Sequence, residues 1–173
     1  MSKKWDTKTV ASAAIMAALV YVMTSISVRM PPPLGFWHIG DVASFIAGIL
    51  FGPLVGTLAC GVGATLFDVW SPLWGSSGIV WAPATLVIRG SMGYILGRFR
   101  DIYPKNRLVS DLSIMVIAAV WKNIGYFLYD YYLYGAAAYL DLSTFFLLSV
   151  VDIAITLPLI RALRKGFGKE KLL

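Results

Sequence analysis

Cysteine and histidine occur once each in the 173-residue chain, as Cys60 and His38, and charged residues make up only 14% of it. The lone cysteine excludes a disulfide framework and a cysteine metal site; Cys60 lies in an apolar run, where a small buried hydrophobe belongs. The lone histidine excludes a multi-histidine metal site, and no nucleophile stands at a recognisable spacing from it. No Walker A loop is present, so the chain cannot hold ATP in the P-loop manner. Asp130 and Asp152 would be the candidates for a paired-carboxylate intramembrane enzyme, yet no scissile-site motif surrounds either. Without a repeat, linker or low-complexity stretch, residues 1–173 read as one domain.

What is present is apolar. Hydrophobic residues make up 58% of the chain and its mean hydropathy is +0.75, far beyond a soluble domain. The chain reads as a polytopic membrane protein. Its formal charge of +6 would suggest a nucleic-acid partner in a soluble protein, but here the excess is first a matter of membrane orientation.

The stretch from His38 to Arg89 organises the rest. Val42 to Phe67 is a run of 26 uncharged residues, bounded by Asp41 and Asp68 and interrupted by Gly52-Pro53. A helix crossing the hydrocarbon needs about 20 apolar residues, so the run is one tilted span or two short ones. Pro53 lacks a backbone donor and biases Gly52 away from the helical region, which favours two spans joined by a tight turn. Glycines at 48, 52, 56, 61 and 63 offer small surfaces for close helix packing.

Upstream, Lys3, Lys4 and Lys8 precede 20 uncharged residues, Thr9 to Val28. That run is longer than a signal-peptide core and no small-residue cleavage site follows, so it reads as an uncleaved first span. Ala13, Ala14, Ala17 and Ala18 form two overlapping Ala-x-x-x-Ala pairs, a smooth strip for another helix of this chain or of a partner. In Met30 to Gly40, Pro31 to Pro33 favour a stiff extended segment, and Phe36, Trp37 and His38 follow. This loop either anchors helix ends at the interface or folds over a pocket.

The predicted spans are about 9–28, 41–52, 53–70, 82–98, 112–134 and 142–161. The N-terminal lysines, the basic segment from Arg98 to Arg107 and the tail with Arg161, Arg164, Lys165, Lys169 and Lys171 should share the cytoplasmic side. An even number of spans must then separate them, which requires Val42 to Phe67 to be two helices. The expected fold is an all-α bundle of six transmembrane helices with both termini cytoplasmic.

That topology places Asp41, Asp68 and Asp130 near outer helix ends, with Arg89, Lys122 and Asp152 deeper. Charges at such depth cost at least about 2.5–3.5 kcal/mol on insertion scales, so they pair within the bundle or face a wet cavity. Asn123, Tyr126 and Asp130 share one stripe of the fifth helix, overlapped by Lys122. Such a stripe suits a flat, polar, heteroaromatic ligand; an internal ion-pair network of Arg89 or Lys122 with an aspartate is the other reading.

The order HIGD, the Gly-Pro turn, GVGATLFD, APATLVIRG, GYILG and KNIGYFLYDYY resembles the substrate-binding S components of energy-coupling factor (ECF) transporters, nearest to the riboflavin-type family. The resemblance implies a small membrane protein that captures a vitamin or precursor from outside. It further implies docking through the alanine face of the first helix, at Ala13, Ala14, Ala17 and Ala18, onto a membrane-embedded coupling protein with two ATPases, and toppling to release the cargo. This chain would itself carry no cofactor and no metal. The ligand positions implied are Trp37, His38, Trp81, Thr85, Arg89, Asn123, Tyr126, Asp130, Ser149 and Asp152, to which the stripe adds Lys122. Where many relatives carry Asn-x-x-Gln in the sixth helix, this chain has Ser149-Val-Val-Asp152, and Arg89 and Lys122 make the region more charged than a flavin needs. A pyridoxine-like, hydroxymethylpyrimidine-like or charged ligand therefore stands beside riboflavin. A solitary secondary transporter using Asp130 or Asp152 as a proton site is the alternative function.

Overall fold

A computed structural model describes residues 6–30, 36–103 and 105–167. Lys3, Lys4, Pro31 to Pro33, Lys169 and Lys171 lie outside the described residues. Six α-helices carry the fold: α1 (Thr7–Ser25), α2 (Gly40–Phe51), α3 (Pro53–Val69), α4 (Ala82–Arg98), α5 (Arg107–Tyr134) and α6 (Ala138–Phe167). A 3-10 turn, Gly135–Ala137, joins the last two. Two three-residue strands, β1 (Ser27–Arg29) and β2 (Phe36–His38), pair antiparallel between α1 and α2.

Local chemistry explains the helix boundaries. The Asp6 carboxylate caps α1 by accepting from the Thr9 amide at 2.8 Å, and the Asn106 side chain caps α5 by accepting from Val109 at 3.2 Å. The first turns of α3 and α4 carry Pro53 and Pro83, whose missing N–H groups would be unbonded there in any case. Between α2 and α3 the whole turn is Gly52, at φ 91°, a backbone state that a side chain disfavours. The 26-residue run is therefore two helices.

The predicted boundaries differ at three places. Helix α1 stops at Ser25 rather than near residue 28, because Ser27 and Val28 enter the ribbon. Helix α5 begins at Arg107 rather than 112, and α6 runs from 138 to 167 rather than 142 to 161. At 1.5 Å per residue α5 and α6 are about 42 and 45 Å long, so their polar ends outreach the hydrocarbon. Three segments among the described residues are long and apolar enough to cross a membrane: Thr7–Ser25, Arg107–Leu140 and Thr144–Gly166.

Helix α2 is the axis of the bundle. Every residue from Gly40 to Leu50 is buried, as expected of a helix apolar on all sides, and α1, α3, α4 and α6 surround it. Phe45 and Ile49 meet Val20, Met92, Leu96, Ile114, Met115 and Ile160 in one core. Helices α3 and α4 touch backbone to backbone at Gly56 and Gly93: a Cβ added to Gly56 would lie 2.5 Å from the Gly93 carbonyl oxygen. The outer surface keeps Leu86, Val87, Val116, Ile117, Leu147 and Val150 exposed, an apolar belt suited to lipid.

The alanine strip divides. Ala13 is buried, and Ala17 approaches α3 so closely that a Cβ on Gly63 would lie 2.5 Å from its carbonyl oxygen. Ala14 and Ala18 lie on the exposed face. One pair packs within the chain and the other is left open.

The two ends of the bundle differ in charge. At one end Asp111, at 1% exposure, takes a two-pronged ion pair from Arg164, and Arg107 pairs with Asp101. Arg100, Arg161 and Lys165 join them around an open basic depression. The opposite end holds the site described next.

Candidate ligand-binding site

The N-terminal ends of α2 and α4, the C-terminal end of α3, the second half of α5 and the first half of α6 converge on one cavity of about 90 Å³. At its floor lies an ionic triad. The Asp41 carboxylate pairs with Arg89 Nη1 at 2.6 Å and with Lys122 Nζ through its other oxygen. All three side chains are at most 7% exposed. Arg89 Nη2 also donates to Ser44 Oγ at 3.0 Å, and Lys122 Nζ to Ser149 Oγ at 3.4 Å. Charges this deep need such mutual neutralisation, since isolated ones are strongly disfavoured in a low-dielectric interior.

One wall is the α4–α5 seam. Trp81 Nε1 donates to Asp130 Oδ1 at 2.7 Å, and the Thr85 and Tyr126 hydroxyls lie 2.9 Å apart. Lys122, Tyr126 and Asp130 recur every fourth residue, so one face of α5 supplies all three. On α6, Phe145, Leu148 and Asp152 recur similarly; Phe145 sits 6.1 Å from the Tyr126 ring, and Asp152 is 3% exposed. On α3, Phe67 and Asp68 complete the lining, with Asp68 Oδ2 buried and without a hydrogen-bond partner.

The ribbon lies over this end. Phe36 meets Phe67 edge to face at 5.4 Å, and His38 meets the same ring at 6.2 Å. The Gly40 amide donates to His38 Nδ1 at 3.2 Å, so the ring nitrogen facing the backbone is the unprotonated one. Burial, reinforced by the positive charge of Arg89, pushes the imidazole down to about 3, and it stays neutral at physiological pH. Trp74 Nε1 donates to Ser27 Oγ at 3.0 Å and ties the α3–α4 loop to the ribbon. Of the two roles open to the segment before α2, the described part takes the covering one.

Of the positions named from sequence, His38, Trp81, Thr85, Arg89, Lys122, Tyr126, Asp130 and Asp152 line the cavity. Trp37 does not: strand alternation turns it away from Phe36 and His38, and it is 43% exposed. Asn123 and Ser149 stand behind the lining, fully or nearly buried, with Asn123 Nδ2 donating to Ser149 Oγ at 3.2 Å. Lining residues not named as ligand positions are Phe36, Asp41, Phe67, Asp68, Phe145 and Leu148. Asp41 and Asp68 had a signal, as the carboxylates bounding the 26-residue run. Phe36 had one as well, in the aromatic run before α2, whereas Phe67, Phe145 and Leu148 had none, because an inward apolar residue of a membrane helix reads the same as an outward one.

A partly open cavity with aromatic walls, an ionic floor and several inward carboxylates is suited to bind and orient a small molecule. The chain matches the family described as ECF-type riboflavin transporter, S component, over residues 4–165. It is also 36% identical over 113 residues to an uncharacterised protein of the gap 3' region of Pyrococcus woesei, a match spanning 62% of this chain and 72% of that relative. The chain belongs to the S components of ECF-type riboflavin transporters, membrane proteins of vitamin uptake.

Proposed function

We propose that this S component captures a water-soluble vitamin or vitamin precursor from outside a prokaryotic cell, spanning the plasma membrane six times with both termini in the cytoplasm. It passes the ligand to a membrane-embedded coupling protein energised by two ABC ATPases. The observation that carries this reading is the cavity between α2 and α6, lined on one side by Phe36 and His38 of the ribbon, at the end of the bundle away from the arginine-rich surface. By the positive-inside rule, Arg100, Arg107, Arg161, Arg164 and Lys165 mark the cytoplasmic end, so the cavity opens outward. Ala14 and Ala18, open on α1, give the coupling protein a flat strip to pack on.

The test is native mass spectrometry of the detergent-purified protein, with released small molecules identified and each confirmed by titration. A co-purifying vitamin-type ring that rebinds is expected. A clean apoprotein that binds no such ring would overturn the capture role.

A further inference from the structure

The end of the bundle away from the ligand cavity carries its own recess, of about 990 Å³. It is bounded by the segment between α4 and α5, the first turns of α5 and the last turns of α6, over the C-terminal end of α2. Five cations line it, Arg100, Arg107, Arg161, Arg164 and Lys165, against two carboxylates, Asp101 and Asp111. Both carboxylates are already engaged. Asp111 holds Arg164 by two prongs, and Asp101 meets Arg107 and, at 3.8 Å, Arg100 Nε. Arg161 and Lys165 stand one turn apart on the exposed side of α6, and among the described residues neither forms an ion pair. Two uncompensated cations, with the Arg164 fork fixed beside them, make a concave set of donors that suits phosphate oxygens.

The surroundings decide which phosphate. The floor is apolar, from Ile49 and Leu50, and Leu108 stands in the wall. From Leu108 a stripe runs along α5 through Leu112 and Val116, every fourth residue, at 39%, 41% and 45% exposure. The segment that bears it, Arg107–Leu140, is long and apolar enough to cross a membrane. The recess therefore opens where a lipid-facing surface meets its polar boundary. A phosphate that carries acyl chains has a place for them on this stripe, whereas a soluble phosphate or an acidic peptide leaves the stripe unused. The volume also exceeds what a lone inorganic ion fills, lying at the upper end of the roughly 300–1,000 Å³ of sites for larger molecules.

We propose that this recess binds the headgroup of an anionic phospholipid, its phosphate held by Arg161, Arg164 and Lys165 and an acyl chain laid along Leu108, Leu112 and Val116. Basic pockets between membrane helices take acidic headgroups in this way. The site does not depend on which molecule the opposite cavity captures.

Native mass spectrometry of the detergent-purified full chain, titrated with phosphatidylglycerol, with phosphatidylcholine and with inorganic phosphate, tests it. The expected result is one phosphatidylglycerol bound at least about tenfold more tightly than phosphatidylcholine, and not displaced by inorganic phosphate. Each cation near an acidic headgroup contributes roughly fivefold, so Arg161→Gln with Lys165→Gln should bring the two lipids to within about twofold. Both side chains are exposed, and an unchanged unfolding midpoint shows that the fold survives. Should the double variant fail to fold, Arg161→Gln alone should lower the preference about fivefold. Arg98→Gln with Lys105→Gln removes the same charge at the same end but outside the recess, and should leave the preference intact. An equal loss in that control overturns the site, since general surface charge then explains the binding. Equal binding of the two lipids by the parent, or displacement by inorganic phosphate, overturns it too. So does a recess variant that keeps its lipid preference but loses the coupling protein, because the recess is then a protein-docking surface.

Discussion

Asp41 is the position at which a one-atom change should cost most. It is 1% exposed and pairs with both Arg89 and Lys122, themselves 3% and 7% exposed. Asp41→Asn preserves shape but removes the one carboxylate that contacts both buried cations, leaving them only the more distant carboxylates of the cavity wall. Breaking a buried pair in this way costs about 3–5 kcal/mol. At about 2–4 °C per kcal/mol for a chain of this size, the unfolding midpoint should fall by roughly 6–20 °C. Lys122→Met removes one cation instead, and the Asp41–Arg89 pair at 2.6 Å remains balanced, so its shift should be less than half as large. Cys60 supplies the assay: it is the single cysteine and is fully buried, so a fluorogenic thiol reagent labels only unfolded chain during a thermal ramp. Equal shifts for the two variants, or an Asp41→Asn midpoint within about 2 °C of the parent, would refute the triad as the electrostatic keystone.

Three further outcomes follow from the geometry. Gly93→Val should separate α3 from α4, because even a Cβ there collides with the Gly56 backbone, and should lower the midpoint severely in the same ramp; Gly166→Ala, with open space around it, should be neutral or stabilising by up to about 1 kcal/mol. The His38 imidazole is held at about 3 when folded against 6.5 when free, so the unfolded chain binds the extra proton below pH 6.5 and stability falls as pH drops. At most about 2 kcal/mol is lost by pH 5 from this group, and His38→Gln should flatten that slope between pH 6.5 and 5 in equilibrium unfolding. Ala14→Trp, on the open face of α1, should leave ligand titrations unchanged while abolishing co-purification with the coupling protein; undiminished association would remove α1 as the docking face.

How much of this was legible in the sequence depended on contrast. The turn at Gly52 was readable because charges fixed both ends of its run and a proline marked its middle. Lys122, Tyr126 and Asp130 were readable because polar groups stand out against an apolar helix at one-turn spacing. Phe67, Phe145 and Leu148 were not, since in a membrane helix an inward apolar residue and a lipid-facing one are the same letters. Trp37 illustrates a different failure: three-residue strands leave no periodicity to read, and without knowing that the segment is a strand one cannot know that Trp37 faces away from His38. The ends of α5 and α6 were set short because hydropathy measures the hydrocarbon-matched part of a helix, whereas Arg107 to Asp111 continue it in polar surroundings. For the alanine strip, two pairs one residue apart gave no basis for saying that Ala13 and Ala17 pack inward while Ala14 and Ala18 stay open.

The central claim is that this chain captures and a separate ATP-driven module moves the cargo. Proteoliposomes carrying the chain alone, or with its coupling protein and ATPases, should be compared for accumulation of the identified ligand. The account predicts accumulation only with the module and ATP, persisting when a protonophore collapses the proton gradient. Accumulation by the chain alone, driven by the gradient and indifferent to ATP, would contradict it and make Asp130 or Asp152 the proton site of a solitary transporter.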